Sequence, residues 1–532
     1  MTIKIRFLIF FLFTISIFYA CGNMHDQDSL FYKIRKQKFV DTDGRQIIFH
    51  GINVVNKNKE WNYLGKEGLK DFAAMRDWGF NCIRLGIIWD GVEPEPGVYD
   101  DKYLAGIDQR IAWAKENGLA VILDMHQDLY SVKYADGAPA WATLNEGKPH
   151  IADSPDWSDA YFSSPAVQTA WDNFWKNASA ADGIGIQEHY ARAWGHVAAR
   201  YAKNTTVIGY DLMNEPFPGS EAAQIFPMML QEGAKILSLA DSVPPPSLEK
   251  IVRQWTDPDG RFAIMQRLNN IDIYSRIVDV PESVFAVFDK QKLMPMYRRV
   301  AGAIRQVDKN HILFLETTMG SNMGIRSHIE PLVNENGKRD PLQAYAPHAY
   351  DLVTDTRNVA SASTNRVNFI FQRHAETAQR LGMPMLVGEW GAYGFHKGTG
   401  AAAQAVTRQL EKYLCSDTYW DYGKGIERSD HFDALNRPYP QKIAGTLIRY
   451  RFDPEKHIFK CKWREQKNIS SPTLIYFPAW FSLDKKTVQL LPFKKGFQID
   501  PPGNGSKSTM IRVAPSGESI ERSLVVKMQD SD

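Results

Sequence analysis

Along most of the chain an amphipathic stripe, a glycine and a short apolar run recur in that order. Leu69, Phe72 and Ala73 share one helical face ahead of Gly79, and the run "FNCIRLG" follows. Ile107 and Ile111 precede Gly118 and "LAVILDMHQ", while Ile186, Tyr190, Trp194, Val197 and Tyr201 form a fuller stripe before "VIGYDLMNEP". Leu293, Tyr297, Val300, Ile304 and Val307 lead into "HILFLET", and a helix near residues 367–381 leads into "PMLVGEWG". Apolar positions spaced by three and four mark a helix laid on a core, and a short unbroken apolar run marks a strand covered on both faces. With "IIFHGINV" at the front, "LQAYAPHAY" in sixth place and "TYWDYG" last, eight strands are predicted. Closed on themselves, eight such units make an α/β fold of the (β/α)8 TIM barrel type. A doubly wound open sheet has the same alternation, but it gives no reason for polar residues to gather at strand after strand's carboxyl end.

Two connections are too long for plain barrel loops. Residues 131–183, with Trp141, Trp157, Trp171 and Trp175, follow the third strand, and residues 217–292 follow the fourth. Both insertions belong on the face where the strands end. The second carries "IFPMML" and "ESVFAVF", which suit either an extra helical subdomain with its own core or a wall for an apolar ligand. From about residue 436 the texture changes. "HIFKCKW" alternates apolar residues with lysines, and "TLIYFPAWF", "TVQLLPF", "TMIRVAP" and "SLVVKM" are short strand-like runs broken by Pro, Gly and Asn, which predicts a C-terminal antiparallel β-sandwich over residues 436–532. The barrel is expected over residues 36–435.

At the front, Lys4 and Arg6 precede an apolar stretch from Phe7 to Tyr19, the make-up of a secretory signal and short for a membrane span. It ends in Ala20, Cys21 and Gly22 and resembles a bacterial lipoprotein signal, in which residues 1–20 are removed and Cys21 carries the lipid; a plain signal peptide is the alternative. Residues 21–35 then serve as a tether. The expectation is an exported bacterial protein, held at the outer membrane or cell surface by Cys21 or otherwise secreted. Cys82, Cys415 and Cys461 are left, an odd and widely spaced set that promises neither disulfides nor a metal site.

Bulk numbers narrow the chemistry. The 532 residues carry 63 basic against 61 acidic side chains, so no electrostatic footprint for nucleic acid exists. The 14 Trp and 22 Tyr suit sugar faces and amphiphiles as well as a core.

Carboxylates at the strand ends supply the candidate chemistry. Strand four ends in "DLMNEP", with Glu215 after Asn214, and strand seven ends in Glu389. Two glutamates facing each other across a barrel mouth are what glycosidic cleavage needs, one protonated to assist the leaving oxygen and one ionised to attack or to activate water. Arg84, read as ending strand two, is placed to keep the nucleophilic carboxylate ionised. His126 and Asp128 end strand three, His348 and Tyr350 end strand six, and Trp420 ends strand eight.

That set, with "NEP" and "GEWG", resembles glycoside hydrolase family 5, retaining enzymes on the (β/α)8 barrel. More narrowly, "GINVVNK", "DMHQDLYS", "GAPAWAT", "DNFW", "YDLMNEP", "PHAYD", "GEWG" and "RPYPQKIAGT" resemble the endoglycoceramidases, which cut between glycan and ceramide in glycosphingolipids. The resemblance runs from about residue 40 to the C-terminus. It implies Glu215 as acid/base, Glu389 as nucleophile, Asn214 on the 2-hydroxyl of the sugar and Tyr350 bonded to the nucleophile. It also implies Lys57, Asp128 and His126 around the first sugar with Trp420 stacked beneath it, and neither metal nor organic cofactor. A β-glucanase or an exo-acting glycosylceramidase would use the same glutamates, and a non-catalytic surface glycan binder would have no need of them.

Overall fold

The computed structural model describes residues 30–529 apart from residues 155, 335 and 502–504. The predicted leader and Cys21 lie outside the described residues.

Eight parallel strands form the barrel: β1 (His50–Val54), β2 (Cys82–Ile88), β3 (Ala120–His126), β4 (Val207–Asp211), β5 (Ile312–Leu315), β6 (Gln343–Tyr345), β7 (Leu386–Val387) and β8 (Ser416–Tyr419). They are hydrogen-bonded in the order β7-β8-β1-β2-β3-β4-β5-β6. The remaining seam is closed by Tyr345 N–H donating to the Pro384 carbonyl at 3.0 Å, and above it His348–Ala349 pairs in parallel with Glu389–Trp390. Every strand residue is buried, as expected of runs covered by helices outside and by side chains inside. The predicted helical faces are those that pack: Ile186, Tyr190, Trp194, Val197 and Tyr201 are all buried on the helix Ile186–Tyr201. Ser363 caps the helix Thr364–Leu381 through the Arg366 N–H, and Gly382 ends it in the left-handed conformation.

The segment 217–292 folds into five helices, α1 (Ala222–Asp241), α2 (Leu248–Thr256), α3 (Pro258–Arg267), α4 (Ile271–Asp279) and α5 (Glu282–Phe288). They have no separate core. Ile225, Tyr274, Val278, Phe285 and Phe288 join the same cluster as the barrel and its helices, which packs the insertion over the strand ends. In the segment 131–183, Trp171 and Trp175 are buried on the helix Pro165–Trp175, whereas Trp157 stays 44% exposed.

The C-terminal part is a sandwich of a seven-stranded and a four-stranded antiparallel sheet over a shared core that includes Tyr439, Phe459, Trp463, Ile475 and Val526. Its composition departs from expectation at the front of the chain. Lys33–Arg35, Lys38–Val40 and Gln46–Ile47, assigned from sequence to the tether and the start of the barrel, are strands of the seven-stranded sheet, Gln46–Ile47 pairing with Tyr439–Ile443. The reason is apolar burial. Phe39, Ile47 and Phe49 pack with Cys82, Ile122, Ile312 and Phe314 and plug the amino-terminal end of the barrel, leaving the opposite end open. Arg84 is likewise not at a strand end. It is the third residue of seven-residue β2, its side chain wholly buried inside the barrel. Cys82, Cys415 and Cys461 are buried and unpaired.

Candidate active site

Parallel strands deliver their last residues to one rim, and the functional side chains gather there. Glu215 stands four residues beyond the end of β4 with φ +42°, a left-handed backbone that costs a non-glycine residue about 1–2 kcal/mol. Glu389 sits on the short pairing above β7. An oxygen of each carboxylate and a His348 ring nitrogen lie within 4.8 Å of one another. His348 Nδ1 is 2.8 Å from Glu215 Oε1 and 3.5 Å from Glu389 Oε2. Asn322 Nδ2 donates to Glu215 Oε1 at 2.6 Å, and the Tyr350 hydroxyl donates to Glu389 Oε2 at 2.9 Å. Gly388 leaves room for this packing, since a Cβ there would stand 3.0 Å from His348 Nε2.

Charge around the pair is set from below by Arg84. Its Nη1 donates to Glu389 Oε1 at 2.7 Å and to Asn53 at 3.0 Å, its Nη2 to Asn214 Oδ1 at 2.9 Å and to Glu316 Oε1 at 2.7 Å, and its Nε to Asp211 at 2.9 Å. Asp124 completes the ring at 2.9 Å. Asp124, Asp211 and Glu316 are spaced like ligands of a metal ion, but the guanidinium is the cation they surround. Burial disfavours a charged His348, yet Glu316, Glu389 and Glu215 outweigh it and hold the ring well above its ordinary value as an imidazolium. Burial raises the Glu389 carboxyl to about 7; His348 and Arg84 oppose that rise and the charge of Glu215 adds to it.

Beside the pair lies a polar wall. Asp124 accepts from His126 Nδ1 at 2.8 Å, and the His126 ring stacks on Trp420 at 5.2 Å and 14°. Burial lowers the basicity of His126, but Asp124 and Asp128 hold it up to about 10. Lys57 pairs with Asp128 and its ammonium stands 4.8 Å over the Trp420 ring. Against the cost of burial, Lys57 and His126 keep the Asp128 carboxyl down to about 2. His126 Nε2 and both oxygens of buried Asp136 have no hydrogen-bond partner.

From the two glutamates a cavity of about 790 Å³ runs under the helical insertion. Phe226, Met229, Leu230, Ile251, Ile264 and Leu268 line its far part, so the insertion is both packed on the barrel and an apolar wall.

Nine of the ten sequence-predicted residues therefore meet at one mouth, and the tenth, Arg84, reaches Glu389 from inside the barrel below. Others that were not singled out take part, Asn53 and Asp211 on Arg84 among them. Glu316 directly follows β5, where the rule applied to the other strand ends would have found it. Asp124 is hidden inside an apolar strand, and Asn322 lies in a loop without periodic signal.

Comparison with known proteins matches both parts of the chain to one family. The profile of cellulase, glycosyl hydrolase family 5, matches residues 40–425, and that of the glycoside hydrolase family 5 C-terminal domain matches residues 437–514. An endoglycoceramidase of Cyanea nozakii is 33% identical over 244 residues, 40% of this chain, and endoglycoceramidase I of Rhodococcus hoagii is 32% identical over 190 residues, 35% of this chain. The chain spans about half the length of the curated relatives it matches, 47% of the first and 37% of the second. Among solved structures, the lactosyl-enzyme intermediate of endo-glycoceramidase II from Rhodococcus sp. superposes with a TM-score of 0.69 at 26% identity, covering 92% of this chain and 99% of that one. The same enzyme's ganglioside GM3 complex superposes with a TM-score of 0.70 at 25% identity, covering 93% and 100%.

Proposed function

The chain belongs to glycosyl hydrolase family 5, and on that footing we propose that it is a retaining endo-glycosidase hydrolysing the β-glycosidic bond between oligosaccharide and ceramide in glycosphingolipids. The observation that carries the substrate is the shape of the cavity: carboxylates and a hydroxyl-binding wall at one end, a long apolar lining at the other. A glycan and two hydrocarbon chains joined at one oxygen match that division.

Glu389 attacks the anomeric carbon while Glu215 gives its proton to the departing ceramide oxygen, which leaves a glycosyl ester on Glu389 and free ceramide. Glu215, now ionised, takes a proton from water, and the hydroxide adds to the same carbon and releases Glu389 and the oligosaccharide with its configuration retained. Two carboxylates with oxygens within 4.8 Å suit direct attack, since the inverting route needs roughly 6.5–9.5 Å to hold a water between them. Arg84, Tyr350 and His348 supply the donors and positive charge that keep Glu389 nucleophilic. The proposal includes export through the leader, with Cys21 as a lipid anchor that would keep the enzyme beside membrane substrates; its support is the sequence of that segment.

The deciding experiment incubates the purified protein in mild detergent with a ganglioside and, separately, with a soluble β-glucan. Free ceramide plus an intact oligosaccharide is the expected product. Glucan fragments with an untouched ganglioside would keep both glutamates in their roles and overturn the substrate.

A further inference from the structure

Glu316 touches neither end of the cavity, yet it contacts groups that hold both catalytic glutamates. Its Oε2 accepts the backbone N–H of Glu215 at 2.8 Å. Its Oε1 accepts from Arg84 Nη2 at 2.7 Å and lies 3.2 Å from His348 Nε2. Arg84 and His348 in turn face Glu389, and His348 bonds the Glu215 carboxylate. We infer that Glu316 is a positioning residue for the acid/base, locking Glu215 into its left-handed backbone so that the carboxyl faces the leaving oxygen.

A counter-ion for Arg84 is the plainer role, but Asp124 and Asp211 already contact that guanidinium at 2.9 Å each. What neither aspartate does is bind the main chain of Glu215. That contact matters because the conformation with φ +42° is unfavourable by itself, and a charge-assisted bond from a buried carboxylate is among the stronger hydrogen bonds available to hold it. Two donors, Arg84 Nη2 and the Glu215 N–H, and the ring of His348 at 3.2 Å converge on Glu316, whose side chain is 2% exposed. Burial alone would raise its carboxyl, but His348, Arg84 and the Glu215 N–H pull it below its ordinary value, so it stays the charged acceptor that Arg84 and the Glu215 N–H require.

The inference rests on the retaining-glycosidase reading, and its test separates the two. Full-length protein, its Glu316→Gln and its Glu316→Asp forms are assayed on β-lactosides whose leaving groups run from 2,4-dinitrophenol to an alkyl alcohol. Gln keeps one acceptor oxygen, which the cationic Arg84 and His348 draw to themselves, so its NH2 faces the Glu215 N–H and that bond is lost. Asp keeps the charge but withdraws the oxygen from Glu215 by one methylene. In both variants kcat/KM should fall about 100-fold or more for the alkyl lactoside and less than about 5-fold for the dinitrophenyl one, because acid assistance is worth roughly 10²–10⁴ and a good leaving group does not need it. A burst of dinitrophenol followed by slow turnover, relieved by azide, should mark the impaired base step. Equal losses across the series in folded variants, no loss at all, or failure of both variants to fold would overturn the positioning role. A wild-type chain that cleaves no lactoside would overturn the glycosidase reading and this role with it.

Discussion

Arg84 Nη1 stands 2.7 Å from Glu389 Oε1, joining β2 to the rim above β7 across 305 residues of chain. The contact sets a cation against a carboxylate that burial alone would leave protonated, and it makes the ionisation of Glu389 the controlling equilibrium of the site.

The pH profile follows with a definite sign. Attack needs the ionised form, so kcat/KM should decline as pH falls below about 7, the value to which burial and Glu215 bring Glu389. Glu215→Gln removes one of the raising influences, and its residual activity on a dinitrophenyl lactoside should show the acid limb at lower pH. Tyr350→Phe removes a donor to the carboxylate and should move the limb to higher pH. Limbs that stay in place in both variants would contradict this account.

Glu389→Gln should fold as the parent does, by circular dichroism and thermal melt, and lose at least about 10⁴ of kcat, since the amide cannot form the glycosyl ester. Substantial residual turnover would remove Glu389 from the nucleophile's role.

The apolar wall can be tested apart from the chemistry. Met229→Asp places a charge where the hydrocarbon chains would lie. It should lower kcat/KM about 10-fold or more on a ceramide-linked glycan, from the desolvation of an unpaired carboxylate, and leave a short-chain soluble lactoside nearly unaffected. Equal effects on the two substrates would remove the cavity from lipid binding.

Asp136 offers a stability test. Burial pushes its carboxyl up to about 7, with Lys57 opposing and Asp128 adding to the rise. A raised folded value means that the native protein holds this proton more tightly than the unfolded chain, so stability is lost as pH climbs from the ordinary aspartate range through about 7. Asp136→Asn should therefore melt higher than the parent at pH 8, and the advantage should vanish near pH 4. A lower melting temperature than the parent at pH 8 would overturn the raised value.

Much of this was legible along the chain because its signals are local. The barrel's strands and helices announce themselves by period, since each must bury one face. Residues at strand ends can then be paired by topology alone, which brought Glu215, Glu389, His126, Asp128, His348, Tyr350 and Trp420 to one rim before any coordinate was known. The insertion 217–292 was legible as apolar helices but not as to where its core lay, because which neighbour covers an apolar face is a long-range fact.

The sequence by itself determined the eight-fold repeat, the pair of glutamates and the change to a β-rich texture near residue 436, all properties of residue type and spacing. Only the tertiary structure decided that residues 33–47 leave the barrel and join the sandwich, that Arg84 lies inside the barrel rather than at its rim, and that Glu316 and Asn322 hold Glu215. Each of those depends on contacts between segments far apart in the chain, and hydrophobic burial and buried charge pairing are settled by what surrounds a side chain in space. Periodicity records which face a residue occupies; it carries no record of the partner.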